Sequence, residues 1–139
     1  MLAKAIKIAT EAHASQKDKN GAPYILHVMR VGLRGKNDNE KICGILHDVV
    51  EDTDWTFEKL EKEGFSEEVI AALKCVTKTS EDEPYDDFIE RVKKNKLAIA
   101  VKINDLEDNM DVRRIPQLTE KDMLRINKYL KAYRELIKL

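Results

Sequence analysis

EKICGILHDVVEDTD, residues 40–54, joins two patterns in one short run. Its first part carries Ile42, Ile45, Leu46, Val49 and Val50 at the i, i+3, i+4, i+7 spacing of an amphipathic helix with a core-facing stripe. Its second part, HDVVEDTD, holds one histidine and four carboxylates in eight positions. The period predicts one buried helix running through HDVVED, with His47 above Glu51 and Asp48 above Asp52, because residues four apart share a helix face. Glu51 and Asp52 then stand at a helix C-terminus, whose partial negative charge disfavours each by about 0.3–1 kcal/mol. No lysine or arginine lies between Lys41 and Lys59 to offset them. Two resolutions are open from this stretch alone: a bound metal ion, or solvated acids with Thr53 or Asp54 capping the next helix.

Outward from this run the helical period recurs. Leu2–Gln16 has it, and the breaker KDKNGAP follows. Pro23–Leu33 predicts a short second helix, and the charged KNDNE leads into the helix above. Thr56–Glu63 reads as a helix ended by Gly64, and Ser66 opens another, with SEEV read as a capping box, as far as about Val76. Pro84 suits a first helical turn leading to about Lys94. Lys96–Val112 and Thr119–Leu139 complete the series, the last opened by TEKD after Pro116. Strand alternation is absent, so the expectation is an all-α bundle of about seven or eight helices, a single domain over residues 1–139.

Composition removes several function classes. Formal net charge is −1, from 25 basic and 26 acidic residues, so no global field points to nucleic acid or an anionic membrane. The start, MLAKAIKIATEAHASQ, lacks the continuous apolar core of a signal peptide, and no run approaches the roughly 18 apolar residues of a membrane span. Cys43 and Cys75 form no CxxC pair and lie in apolar helical patterns, which suits reduced core thiols in a cytoplasmic protein. Homo-oligomer formation is left open.

Three histidines are present, His13, His27 and His47. His13 reads as structural or exposed. His27 lies among apolar neighbours, with Arg30 and Arg34 on its side of the helix, a placement useful for a phosphate. Lys17 and Lys19 stand just upstream. The second acidic knot, KINDLEDNMD at residues 102–111, follows a run that is apolar all round and therefore predicts a central helix carrying Asp105 inward. A buried carboxylate needs a cation. Lys102, three residues back, is the plain partner; the sharper one is a metal held by His27, His47, Asp48 and Asp105, two nitrogens and two carboxylates from three helices.

AHASQKDKNGAPYILH (residues 12–27), ILHDVVEDT (45–53) and VKINDLEDNM (101–110) together resemble the HD-domain phosphohydrolases, and more narrowly the hydrolase domain of the RelA/SpoT group and its stand-alone small relatives, which remove pyrophosphate from the 3′ position of alarmone nucleotides. The resemblance implies that His27, His47, Asp48 and Asp105 hold a divalent metal, typically manganese, with iron or zinc also compatible with such ligands. It implies that Glu51 and Asp52 handle the attacking water, that Lys19 contacts substrate phosphates, and that Asn109 contacts the substrate. The expected partner is a small phosphorylated nucleotide, with guanosine 3′,5′-bis(diphosphate) foremost. No synthetase domain is expected within this chain. The sequence departs from the family's pattern at Asp18, where an arginine is usual, at Val28, where a proline is usual, and at Asp111 within NMDV, where NMRT is usual. These departures touch substrate recognition and keep a second reading in view, a nucleotide sensor that has the pocket without turnover.

Overall fold

The computed structural model describes residues 1–139 as an all-α fold. Its helices are α1 (Leu2–Ala12), α2 (Ile25–Leu33), α3 (Asp38–Leu46), α4 (Val49–Asp52), α5 (Phe57–Lys62), α6 (Glu67–Val76), α7 (Tyr85–Val92), α8 (Lys96–Asn109) and α9 (Glu120–Ile137), with a 3₁₀ turn at Val112–Arg114. No helix is long and apolar enough to cross a membrane.

Short polar residues set the helix starts by accepting otherwise unpaired N–H groups. Asn37 opens α3, Thr56 opens α5, Ser66 opens α6 and Asn95 opens α8 in this way. The SEEV expectation is half met: Ser66 accepts from the Val69 N–H, but valine at that position has no side-chain acceptor with which to complete a capping box. The reciprocal box forms instead at α9, between Thr119 and Asp122. Gly64, at φ 98°, follows the end of α5 in a left-handed conformation that glycine adopts without steric cost.

The central element is α8, which packs against α2, α3, α6, α7 and α9. It buries apolar side chains such as Ala98, Val101 and Leu106, and on another face it buries Lys102, Asp105 and Asp108. Beside it, α2 and α3 approach closely because each presents a glycine. A Cβ on Gly44 would lie 3.0 Å from the Gly32 Cα and 3.1 Å from the Gly32 nitrogen. This backbone approach brings the His27 and His47 rings to a centroid separation of 5.3 Å.

The continuous helix expected through HDVVED is broken. α3 ends at Leu46, Asp48 takes φ −108° and ψ 0°, and Val49–Asp52 forms a separate single turn. Consecutive residues on a straight helix project about 100° apart, so an unbroken helix would splay His47 from Asp48. The break lets them converge on one point. It also makes Val49–Asp52 a short helix of its own beside the longer helices of the bundle. At the chain's start, α1 stops at Ala12 rather than Gln16, and residues 13–24 form a loop closed by an antiparallel bridge between Lys17 and Pro23.

Candidate metal centre and its pocket

Three elements deliver the four expected ligands. α2 carries His27, the α3–α4 junction carries His47 and Asp48, and α8 carries Asp105. The His27 Nε2 lies 3.1 Å from Asp105 Oδ1 and 4.0 Å from Asp48 Oδ2. The His47 Nε2 lies 3.0 Å from Asp48 Oδ2 and 3.3 Å from Asp105 Oδ1. Donor atoms of His27, His47 and Asp48 all fall within 4.8 Å of one another.

The opposite ring nitrogens decide the tautomers. His47 Nδ1 is 2.6 Å from the Gly44 carbonyl oxygen, which can only accept, so Nδ1 carries the proton. His27 Nδ1 donates in the same way to Asp108 Oδ2 at 2.7 Å. Each imidazole thereby turns an Nε2 lone pair toward the two carboxylates. His47 Nε2 is buried and makes no hydrogen bond. An orphaned buried nitrogen facing two carboxylates fits a cation bound among them, and a hydrogen-bonded Nδ1 is the usual support of a metal-binding histidine.

The surroundings stabilise negative charge here. Without a cation, and against the burial of its ring, the two carboxylates raise His47 well above the usual imidazole value. Against the burial that opposes ionisation of Asp48, the protonated His47 and the Tyr24 hydroxyl, which donates to Asp48 Oδ2, hold its carboxyl at about 2. Burial likewise opposes Asp105, which is kept well below the usual carboxylate range by Lys102, His47 and His27. Lys102 Nζ is 2.9 Å from Asp105 Oδ2, so the plain partner is present as well, on the oxygen turned away from the histidines. Asn109 Nδ2 donates to Asp105 Oδ1 at 3.1 Å.

These ligands line a cavity of about 150 Å³ shared with Tyr24, Glu51, Lys78, Tyr85, Asn109, Lys128 and Tyr129. Two larger hollows adjoin it. One of about 350 Å³ shares Tyr24, His27, Asn109 and Tyr129 with it and is further lined by Lys19, Arg30, Arg114 and Arg125. The other, about 940 Å³, shares Glu51 and Lys78 and is also lined by Asp52. Glu51 lines both hollows, with its Oε1 accepting from the Lys78 N–H at 3.1 Å. Asp52 keeps an exposed edge; partial burial and the charges of Asp48 and Glu51 push its carboxyl up to about 6.

Several expectations are changed by this geometry. Arg30 and Arg34 are not free for a phosphate: Arg30 Nε is 2.7 Å from Asp108 Oδ1, and Arg34 Nη1 donates to the Asn104 carbonyl at 3.2 Å. Together with Arg114, 3.3 Å from Asp108 Oδ2, they neutralise the fully buried carboxylate that orients His27. Asp18 turns its Oδ1 to the Asn20 and Ala22 N–H groups of its own loop, at 2.9 and 3.0 Å. Asp111 pairs with Arg113 at 2.7 Å and Arg114 at 3.4 Å. His13 is buried, with Nδ1 2.6 Å from Gln16 Oε1. Lys19 lies in the neighbouring 350 Å³ hollow rather than beside the cluster.

Tyr24, Asp108, Lys78, Lys128 and Tyr129 were not singled out by the sequence reading. Asp108 had a local signal, since it stands one helical turn beyond Asp105 and meets Arg30 of α2 and Arg34 just past that helix's end. Lys128 had none; it reaches the pocket from α9, with Nζ 4.6 Å from the Tyr85 ring centroid and 5.5 Å from that of Tyr129.

No family model matches the chain. Over 118 residues it is 35% identical to the guanosine-3′,5′-bis(diphosphate) 3′-pyrophosphohydrolase of Aquifex aeolicus, a match that takes in 77% of this chain and 17% of that protein. Over 84 residues it is 40% identical to the probable guanosine-3′,5′-bis(diphosphate) 3′-pyrophosphohydrolase of Synechocystis sp., covering 58% of this chain and 11% of the relative. The chain thus spans less than a fifth of the length of these curated relatives. Among solved structures, a metazoan ortholog of SpoT that hydrolyses ppGpp aligns with a TM-score of 0.81 at 26% identity, over 97% of this chain and 84% of that one.

Proposed function

We propose, on the premise that this chain is an HD-domain relative of the RelA/SpoT hydrolases, that it is a divalent-metal-dependent phosphohydrolase that removes pyrophosphate from the 3′ position of a nucleotide such as guanosine 3′,5′-bis(diphosphate). The observation that carries this reading is the convergence of two imidazole Nε2 atoms, their Nδ1 positions already engaged, on the carboxylates of Asp48 and Asp105 in a pocket reached by Glu51 and Lys128.

His27, His47, Asp48 and Asp105 would hold the ion. Mixed imidazole and carboxylate donors suit manganese or iron, and zinc is compatible with the imidazoles. A divalent ion supplies Lewis acidity toward a phosphoryl oxygen and acidifies water. The chain's own groups do the rest. Glu51, held by the Lys78 N–H, presents a carboxylate oxygen that orients the attacking water. Asp52, with its carboxyl near 6, is largely ionised near neutral pH and accepts the proton. Lys128 rests on two tyrosine rings rather than on a carboxylate, which leaves its charge to face a substrate phosphate. The hollow containing Lys19 and Tyr129 receives the nucleoside side; Lys19, its pKa drawn down by burial and by the charges of Arg125 and Lys121, forms no ion pair there and is left to a phosphate, whereas Arg125 is held by Asp122 at 2.6 Å. Cys43 and Cys75 are free thiols, which supports a reducing, cytoplasmic setting.

The direct test incubates manganese-loaded protein with guanosine 3′,5′-bis(diphosphate) and quantifies pyrophosphate, alongside elemental analysis of wild type and Asp48→Ala. Pyrophosphate release with near-stoichiometric metal in the wild type, and loss of both in the variant, is expected. Equal metal binding by the two proteins would refute the site; bound metal without turnover of any phosphorylated nucleotide would favour the sensor reading. Base preference is expected to be relaxed, because Asp18 serves its own loop where an arginine would stack on a purine. A more than about hundredfold preference for guanosine over the adenosine counterpart, about 2.7 kcal/mol at the transition state, would contradict this.

A further inference from the structure

Arg91 stands on α7 and lines the 940 Å³ hollow, outside the cavity that holds the ligand cluster. Its guanidinium nevertheless organises the strand of backbone that separates the two. Nη1 donates to the carbonyls of Lys74 at 2.7 Å, Cys75 at 3.1 Å and Thr77 at 3.0 Å, the unpaired carbonyl end of α6. Nη2 is 2.6 Å from Glu83 Oε1, and the same oxygen accepts from the Thr79 N–H at 3.1 Å. The Thr77 hydroxyl adds a bond to the Leu73 carbonyl at 2.7 Å. Residues on both sides of Lys78 are thereby tied down. The free N–H in the middle, that of Lys78, donates to Glu51 Oε1 at 3.1 Å, across 27 residues of sequence. The Glu51 side chain is otherwise exposed, on a single-turn helix anchored to the core through Val49 rather than through Glu51.

We infer that Arg91 and Glu83 are positioning residues, which hold the residue 77–79 backbone so that the Lys78 N–H aims the Glu51 carboxylate at the ligand cluster. This rests on the reading of Glu51 as a group that handles the attacking water. A guanidinium is suited to the task because its planar fork reaches several acceptors at once; a lysine ammonium on a flexible stem does not reproduce that fork. Apart from the Thr77 hydroxyl, the loop takes part in these hydrogen bonds through its backbone atoms, so the side chain of Lys78 can line the pocket without disturbing the one N–H that Glu51 uses.

The test is a double-mutant cycle on manganese-loaded protein with guanosine 3′,5′-bis(diphosphate), reading kcat and KM separately, with bound manganese and melting temperature measured for each variant. Arg91→Lys should lower kcat about tenfold while KM and bound manganese stay within about twofold. In a Glu51→Gln background, already slow, the same change should lower kcat by less than about twofold, because there is no carboxylate left to aim. Glu83→Ala, which frees Thr79 without leaving the α6 carbonyls unpaired, should reproduce the effect at roughly threefold and serves where Arg91→Lys fails to fold. Glu83→Gln keeps an acceptor oxygen and should restore most of the rate. An equal loss in both backgrounds, or no loss in folded, metal-loaded Arg91→Lys and Glu83→Ala, overturns the positioning role alone. Undiminished turnover by Glu51→Gln itself overturns the role of Glu51, and the inference falls with it.

Discussion

Asp52 is the residue whose chemistry is most open to a pH measurement. Partial burial and the nearby charges of Asp48 and Glu51 raise its carboxyl from 3.8 to about 6, against smaller lowering effects from Gln16 and His47. A raised carboxyl binds its proton more tightly in the folded chain than in the unfolded one. Its contribution to stability is therefore fully present below about 3.8 and lost as pH rises through about 6. With metal removed, Asp52→Asn should melt at the wild-type temperature near pH 3.5 and above it at pH 7, the difference opening between about 3.8 and 6. Thermal melts at a series of pH values check this; a constant difference across the series would mean that the Asp52 carboxyl is not raised. For the proposed catalysis the sign is opposite: if the ionised Asp52 accepts the proton, turnover should rise with pH through a limb at or below about 6, since a bound cation pulls the carboxyl down. Asp52→Asn should lose about a hundredfold, the scale of a missing general base. The sequence made Asp52 a candidate through its place in HDVVEDTD. Its environment was beyond the sequence, since Gln16 comes from the loop after α1.

At the level of helices, the approach of α2 to α3 is what sets the two histidines together. The nearest atoms to a Cβ at Gly44 belong to the backbone of Gly32 and Val31, at 3.0 to 3.2 Å, and backbone cannot swing aside. Gly44→Ala is expected to cost about 1–3 kcal/mol from overpacking, offset by roughly 1 kcal/mol of helix propensity. It should also weaken manganese binding, because moving α2 outward carries His27 from His47. Urea unfolding and a manganese titration read the two effects; unchanged midpoint and affinity would show that the helices part without strain. Helix existence was legible across the chain, because apolar period and caps act locally, and Asn37, Thr56, Ser66, Asn95 and Thr119 cap as their side chains allow. The break between His47 and Asp48 was not. The apolar period of ILHDVVED runs through the break, and the groups that meet Asp48 there, the Tyr24 hydroxyl and the His27 ring, come from the α2 region of the chain.

For the whole molecule, the ligand cluster joins elements distant in sequence, so its occupancy should govern global stability. An ion that binds only the folded chain stabilises it by RT ln(1 + [L]/Kd), about 2.7 kcal/mol at a hundred times Kd. Adding chelator should therefore lower the melting temperature by several degrees, and manganese should restore it in wild type but not in Asp48→Ala. An unchanged melting curve on chelation would mean that the cluster holds no ion that matters to the fold. The sequence by itself determined the helical class, the core stripes, and the four residues His27, His47, Asp48 and Asp105 as a candidate set, because amphipathic period and unusual clusters of ionisable groups are local properties of a chain. It also carried the likeness to RelA/SpoT hydrolases that the relatives bear out. Tertiary structure alone decided which side chains serve the cluster and which serve the fold. Arg30 and Arg34, free on paper, are taken by Asp108; Asp18 is taken by its own loop; Lys128 enters from α9 without any local signal. The physical reason is that a charged side chain's role depends on the nearest opposite charge in space, and in a helical bundle that charge lies on another helix, at a sequence distance that no local pattern encodes.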